Sequence, residues 1–308
     1  MIKNVVAFIT LLIIAIAVYF PSRHARHYSY IPLDDIKDEL DLEWPQYVNY
    51  DLKNCSYENI LRDNNEVDIS TITEEKQFEK PLSGGEYTPS DCTPLEKSAI
   101  IVPYRDRPYQ LNIFVNYMHW YLQQQQLHYR IFIVNQNDSL PFNRAKMLNY
   151  GAKLAIKMKY HCLILHDVDL IPINSRNIYA CSKMPRHMSS SLDSFRYNLP
   201  YLTLFGGAVS ITSDQYLKVN GMSNEFFGWG GEDDDFYRRL VSNNLEPCRF
   251  SPEVSKYTML SHKKEKASEN RFKTLERTKD NNKLDGLSSL SNNYVIKLEE
   301  LYTLLIIP

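Results

Sequence analysis

A chain of 308 residues holds one large domain or two modest ones, and its 44% apolar content is that of a globular protein with a real core. A formal net charge of -2 excludes a protein that grips nucleic-acid phosphates through a basic surface, so no nucleic-acid partner is expected. The 22 Tyr and 13 Phe suit sugar faces and ordinary cores alike, and so exclude neither.

Val5 to Phe20 is an uncharged apolar run flanked by Lys3 on one side and Arg23 and Arg26 on the other. As a helix it would span about 24 Å, short for a thick plasma membrane and close to the thinner membranes of the early secretory route. Ala15-Ile16-Ala17 also resembles a signal-peptide cleavage site. Basic residues on both sides leave the orientation open. The expectation taken is an uncleaved anchor over 5–20 behind a tail of residues 1–4, with the rest of the chain in a lumen. Five cysteines, Cys55, Cys92, Cys162, Cys181 and Cys248, fit an oxidising lumen, and their odd number leaves one thiol over. No CxxC spacing occurs, which argues against a zinc site.

Residues 21–50 are polar and dotted with aromatics, without clean periodicity, and read as a stem. Residues 50–98 carry Asn, Asp, Glu, Ser, Gly and Pro clusters and read as an irregular lobe. The pattern then changes. Ser98 to Pro103, Tyr129 to Val134 and His161 to His166 are short apolar runs expected of buried strands. Between them Leu111 to Gln126 and Arg144 to Tyr160 read as helices, the first with Phe114, Met118, Tyr121 and Leu122 on one side. Such alternation predicts an α/β sheet with helices on both faces, and ligands in such sheets bind beyond the carboxyl ends of the strands.

Chemistry-bearing residues follow each strand. After the first come Pro103-Tyr104-Arg105-Asp106-Arg107, whose two guanidinium groups suit a pyrophosphate, although such a loop alone also reads as solvated ion pairs. After the second come Phe142-Asn143-Arg144-Ala145-Lys146, leading into a helix whose N-terminus favours anions, or simply a helix start with surface charges. After the third comes Asp167-Val168-Asp169. Residues two apart on an extended segment share a side, and two carboxylates so placed call for a cation, such as a divalent metal carrying a diphosphate. Further on, Gly228-Trp229-Gly230-Gly231 leads into Glu232-Asp233-Asp234-Asp235. Adjacent acids commonly stabilise a helix N-terminus. The glycines and tryptophan favour a sugar pocket in which one acid is a general base. Met259-Leu260-Ser261-His262 offers an imidazole ligand. Thioethers prefer soft metals, so from physics alone Met259 belongs in the core.

In this order the motifs resemble the β-1,4-galactosyltransferase family and its invertebrate β-1,4-N-acetylgalactosaminyltransferase branch. The resemblance runs from about Cys55 to the C-terminus. It rests on Val102 to Arg107, Phe142 to Lys146, Asp167 to Pro172, Phe205-Gly206-Gly207 and Gly228 to Asp235. It implies a GT-A fold, a Rossmann-like nucleotide-binding mixed sheet flanked by helices behind an N-terminal transmembrane anchor. It also implies a type II Golgi membrane protein whose lumenal catalytic domain, 51–308, inverts the donor sugar. Asp169, Met259 and His262 would then hold Mn²⁺. Pro103, Tyr104, Arg105, Arg107, Phe142, Arg144, Asp167, Val168, Trp229 and Glu232 match the donor site. Asp233 matches the base, and Tyr201, Gly230, Gly231, Asp234, Arg271 and Phe272 match the acceptor side. Cys55 would pair with Cys92 and Cys162 with Cys181, leaving Cys248 free. The segment after the metal histidine would be a mobile lid.

Three departures bear on that pattern. Ser194 stands where galactosyl members carry a donor-phosphate lysine. The stretch from His262 to Arg271 is about three residues shorter. Leu204 stands where galactose-using members have tyrosine, and a smaller aliphatic side chain there goes with UDP-GalNAc rather than UDP-Gal. The resemblance thus implies transfer of N-acetylgalactosamine to the 4-hydroxyl of a terminal β-GlcNAc on a glycan. The alternatives are a galactosyltransferase acting on GlcNAc or xylose acceptors and a non-catalytic carbohydrate-binding protein on the same scaffold. His166-Asp167-Val168-Asp169-Leu170 together with Asn220 to Asn224 resembles the xylose-specific members.

Overall fold

The computed structural model describes residues 2–24, 28–42, 52–263, 265–278 and 284–308. Helix α1 (Ile2–His24) contains the N-terminal apolar run, and its described side chains, Val5 and Phe8 among them, are exposed. Among the described residues no helix is long and apolar enough to cross a membrane. Part of the presumed stem lies outside the described residues, but 28–42 is built into the body rather than standing off it. Helix α2 (Ile36–Glu39) buries Ile36, with Leu40 buried one turn on. Backbone bonds from Ile31 N to Arg249 O (2.8 Å) and from Asp41 N to Cys181 O (2.9 Å) fasten the segment. The physical reason is the apolar pair four residues apart, which needs a covered face.

The lobe that follows is irregular, with helix α3 (Glu58–Arg62), a 3-10 turn at Ile69–Thr71 and the short strand β1 (Glu86–Tyr87). Cys55 is bonded to Cys92 across it. The alternating core then runs β2 (Lys97–Tyr104), α4 (Pro108–Gln123), β3 (His128–Gln136), α5 (Arg144–Lys157), β4 (Cys162–His166). After it come β5 (Leu170–Pro172), β6 (Arg186–His187), β7 (Ser191–Leu192), β8 (Ala208–Thr212), α6 (Ser213–Lys218), α7 (Glu232–Ser242), β9 (Lys256–Met259), α8 (Arg271–Arg277), β10 (Val295–Leu298) and β11 (Thr303–Ile307).

The main sheet has the order β10-β11-β3-β2-β4-β8-β6, with β1 also on β3. Strands β11, β3, β2 and β4 are parallel neighbours, while β8, β6, β10 and β1 pair antiparallel, so the sheet is mixed. Alternate residues of β2 face opposite cores: Ile100 and Val102 pack with α4, and Ala99 and Ile101 with α5. This two-sided burial is why β2 and β3 read as continuous apolar runs. A second sheet, β5-β9-β7, sits beside the carboxyl end of β4. Cys162 is bonded to Cys181, and Cys248 is a free thiol.

Candidate active site

Strand β4 ends at His166, and Asp167-Val168-Asp169 carries the chain from the main sheet to the small one. The turn is closed by Asp167 N donating to Gly207 O (3.0 Å) and Leu170 N donating to Asp167 O (3.3 Å). Val168 is buried, while the flanking Asp167 and Asp169 are only partly buried. Arg144, in the first turn of α5, donates through Nε to Asp167 Oδ1 (2.6 Å) and through Nη2 to Gly207 O (3.3 Å). Its Nη1 lies 4.0 Å from Glu232 Oε1. One guanidinium thus joins the end of β4 to the acidic start of α7. Asn143 caps the same helix by accepting from Lys146 N (2.9 Å).

Antiparallel pairing of β5 with β9 sets Leu170 opposite Met259, and Leu260 N donates to Asp169 O (2.7 Å). Asp169 Oδ2 therefore lies 3.0 Å from His262 Nδ1 and 3.1 Å from Arg107 Nη1. Asp169, in the turn before β5, meets His262, in the loop after β9, and the β5–β9 pairing sets Met259 opposite Leu170, the residue next to Asp169. Among the described residues no group of three or more His, Cys, Asp or Glu forms a ready-made metal cage. The set here has two such side chains and one thioether. It fits an ion that takes its remaining oxygens from a bound diphosphate, because the Asp169 carboxylate, its side chain only 13% exposed, already has the Arg107 guanidinium and the His262 imidazole beside it. Burial, with Asp167 nearby, raises the Asp169 pKa, and His262 and Arg107 oppose that rise. Met259 is half-buried and packs against the core.

Helix α7 begins at Gly231, whose φ of 97° is a left-handed conformation that glycine adopts without steric cost. That turn starts α7 with its first acid 4.0 Å from Arg144. Glu232 is buried, its Oε2 has no hydrogen-bond partner among the described residues, and burial together with neighbouring Asp233 pushes its pKa up to about 7. Burial and Asp234 likewise raise the pKa of Asp233. Asp233 lies against the Phe205-Gly206-Gly207 turn. Asp234 accepts from the Tyr201 hydroxyl (3.2 Å). Leu204, half-buried, precedes that turn with its carbonyl held by Arg249 Nη2 (3.0 Å).

Trp229 is 59% exposed, and its carbonyl accepts from Ser268 N (3.0 Å). The stretch expected to be a lid is therefore docked on the Trp229 loop. Lys264 within it lies outside the described residues. Gly230 faces Arg271, whose guanidinium sits over the Phe272 ring at 4.4 Å. At the first strand, Pro103 is buried and the Tyr104 hydroxyl accepts from Arg107 N (3.3 Å). Arg105 donates to Leu140 O (2.7 Å) and stands over Phe142 at 5.3 Å. Both arginines thus have protein partners, an ion pair with Asp169 for Arg107 and a carbonyl and a ring face for Arg105.

Two contributions escaped the sequence reading. Asp193 accepts from Met259 N (3.1 Å) and from the Thr258 hydroxyl, tying β9 to the loop after β7. No periodic or motif signal marks it. Asp235, the last of the four acids, is not a site residue in geometry: it is buried and bonded to Arg239 Nε (2.8 Å), which also meets Asp285.

Two family models match the chain: the N-terminal region of glycosyl transferase group 7 over residues 54–182, and the N-terminal domain of galactosyltransferase over 186–263. Among relatives, the chain is 41% identical over 224 residues to beta-1,4-galactosyltransferase 2 of Cricetulus griseus, covering 70% of this chain and 61% of that one. It is 42% identical over 229 residues to beta-1,4-galactosyltransferase 1 of Bos taurus, covering 73% and 56%. The chain thus spans rather more than half the length of these relatives. Among solved structures, the catalytic domain of Drosophila beta1,4-galactosyltransferase 7 in complex with xylobiose matches with a TM-score of 0.59 at 28% identity, covering 68% of this chain and 92% of that one. A mutant of that enzyme, in complex with manganese, UDP-Gal and xylobiose, matches with a TM-score of 0.58 at 27% identity. With both family models in sequence order and a mixed α/β sheet shared with these structures, this chain belongs to the β-1,4-galactosyltransferase family.

Proposed function

We propose that the protein is an inverting, Mn²⁺-dependent glycosyltransferase that moves N-acetylgalactosamine from UDP-GalNAc to the 4-hydroxyl of a terminal β-GlcNAc. The observation that supports this reading is the Arg144 guanidinium, which joins Asp167 to Glu232 at the start of α7, so that a diphosphate bound at the Asp167–Asp169 turn would lie close to Glu232 and Asp233. Asp169, Met259 and His262 would hold Mn²⁺, whose charge would offset that of the departing UDP. Glu232, with one oxygen unpaired, accepts a hydroxyl of the donor sugar. Asp233 takes the proton from the acceptor hydroxyl as its oxygen bonds to the anomeric carbon and the bond to the diphosphate breaks. Attack from the face opposite the leaving group turns an α-linked donor into a β-linked product. Trp229 and Phe272, both largely exposed, offer apolar faces to the sugars, with Tyr201, Asp234 and Arg271 on the acceptor side.

Leu204 supports the choice of donor, because an aliphatic side chain leaves room at the sugar's 2-position. A galactosyl reading is favoured by a different observation: both matching solved structures carry xylobiose, and one of them also carries UDP-Gal. Incubating the full chain with Mn²⁺, UDP-GalNAc or UDP-Gal, and GlcNAc- or xylose-terminated acceptors separates the two. Transfer of galactose alone overturns the donor, and no transfer from either donor to any acceptor overturns the enzyme. Placement in the Golgi membrane, with the body lumenal, is part of the proposal. It is supported by the exposed apolar side chains of α1 and the two disulfides. Resistance of the chain to carbonate extraction and of its body to added protease in intact vesicles tests it.

A further inference from the structure

Behind the metal-binding candidates runs a chain of buried polar groups that nothing above uses. His166, Tyr179 and Tyr257 are each fully buried. His166 Nδ1 lies 2.9 Å from Asp167 O, His166 Nε2 lies 2.8 Å from the Tyr179 hydroxyl, and that hydroxyl lies 2.8 Å from the Tyr257 hydroxyl. The directions follow from the chemistry of the groups. A carbonyl only accepts, so Nδ1 carries the proton and donates to Asp167 O. Burial pushes the His166 pKa down to about 4, so the ring is neutral and Nε2 must accept from Tyr179. Tyr179, having given its proton, accepts from Tyr257.

The two ends of this chain lie in the elements that supply the candidate ligands. Asp167 opens the turn to Asp169, and Tyr257 is in β9, which ends at Met259. The middle is immobilised: Tyr179 N donates to Gln125 Oε1 (2.9 Å), Ser98 Oγ donates to Tyr179 O (2.7 Å), and Phe114 packs edge-on against His166. We infer that His166, Tyr179 and Tyr257 act as positioning residues, locking the Asp167–Asp169 turn to β9 so that the carboxylate, thioether and imidazole are held at one spacing. The inference rests on the reading of Asp169, Met259 and His262 as the metal set. Outer partners that orient ligands are worth about tenfold or more in metal affinity.

The test is Mn²⁺ affinity of the full chain, measured by electron paramagnetic resonance of free Mn²⁺. Tyr179→Phe removes the donor to His166 and is expected to weaken Mn²⁺ binding about tenfold, raising the Mn²⁺ requirement while leaving kcat at saturating Mn²⁺ within a few-fold. Tyr257→Phe, further from the turn, is expected to have a smaller effect. His166→Asn, whose amide N–H stands in for Nδ1–H, is expected to retain most of the affinity that His166→Ala loses. Wild-type affinity in Tyr179→Phe overturns the relay alone. If that variant does not melt cooperatively, equal losses in His166→Asn and His166→Ala overturn it. A wild-type chain that binds no Mn²⁺ overturns both the relay and the metal site beneath it.

Discussion

The carboxylate of Asp233 stands against the backbone of Gly206 with no room for a methyl group between them: a Cβ at Gly206 would lie 2.8 Å from Oδ2. The Phe205-Gly206-Gly207 turn therefore acts as a backstop that sets where the proposed base points. Gly206→Ala forces the carboxylate aside without touching it chemically. A displacement of about 1 Å costs on the order of 100-fold in rate, so kcat is expected to fall by one to two orders of magnitude. The KM for the donor should stay within a few-fold. A variant with undiminished kcat would show that Asp233 does not need this placement.

Removing the charge itself is the sharper test of role. Asp233→Asn keeps the shape and the Asp233 Oδ1 acceptor for Asp234 N (3.1 Å) but cannot take a proton. Loss of a general base lowers turnover by about 10² to 10⁴. UDP and Mn²⁺ binding, followed by calorimetry, should be nearly unchanged. Turnover equal to that of the wild type would remove Asp233 from the mechanism.

Glu232 makes a prediction about pH and stability. Its folded-state pKa, about 7, lies above the ordinary 4.5, because burial and Asp233 disfavour the charge. The folded chain thus holds this proton more tightly than the unfolded one. The carboxyl detracts increasingly from stability as pH rises from 4.5 toward 7, and the full cost is present above that. Glu232→Gln removes the cost and is expected to raise Tm at pH 8 while leaving it nearly unchanged at pH 4, at the expense of donor binding. Thermal melts at the two pH values decide it, and a Tm gain of equal size at both would exclude the ionisation as its cause.

The alternating core could be read from sequence because each strand is buried on both faces and each loop after it is polar. Ile100 and Ile101 are both fully buried, so no period-two signal was needed. Strand β11 was not read. Its run, Thr303 to Ile307, is just as apolar, but it pairs with β3 from some 170 residues away, and local pattern carries no information about so distant a partner. Segment 28–42 looked like a stem because only Ile36 and Leu40 bury deeply, too few for a periodic signal. At the site, residues picked out by motif meet in two groups, Arg107 with Asp169 and His262, and Arg144 with Asp167 and Glu232. The backbone-directed contacts that hold them, such as Asp193 to Met259 N, leave no trace in residue type.

The acidic run after Gly231 divides between site and scaffold at Asp235. Arg239 is buried between Asp235 (2.8 Å) and Asp285 (3.2 Å), and its Nη1 also donates to Asp285 O (2.7 Å). Arg239→Ala removes the guanidinium shared by two buried carboxylates, leaving Asp235 only its longer pairing with Arg238 (3.5 Å). Breaking such a group typically costs about 3–5 kcal/mol. Urea unfolding should show a loss of that size, and a loss under about 1 kcal/mol would mean that water reaches both carboxylates.

The proposed donor assignment makes Leu204 the position at which to test which sugar is transferred. Its backbone is pinned at both ends, with N donating to Tyr201 O (3.2 Å) and O accepting from Arg249 (3.0 Å). A substitution there changes the side chain and leaves the turn toward Gly206 in place. Under the proposed donor assignment, Leu204→Tyr fills the space left for an N-acetyl group while still admitting a hydroxyl. The ratio of kcat/KM for UDP-GalNAc to that for UDP-Gal is then expected to fall at least tenfold, equivalent to about 1.4 kcal/mol of differential transition-state binding. Competition between the two donors in one reaction reads this ratio without reference to the amount of active protein. An unaltered ratio, with transfer still running, would place donor choice elsewhere in the pocket and return Leu204 to a packing role.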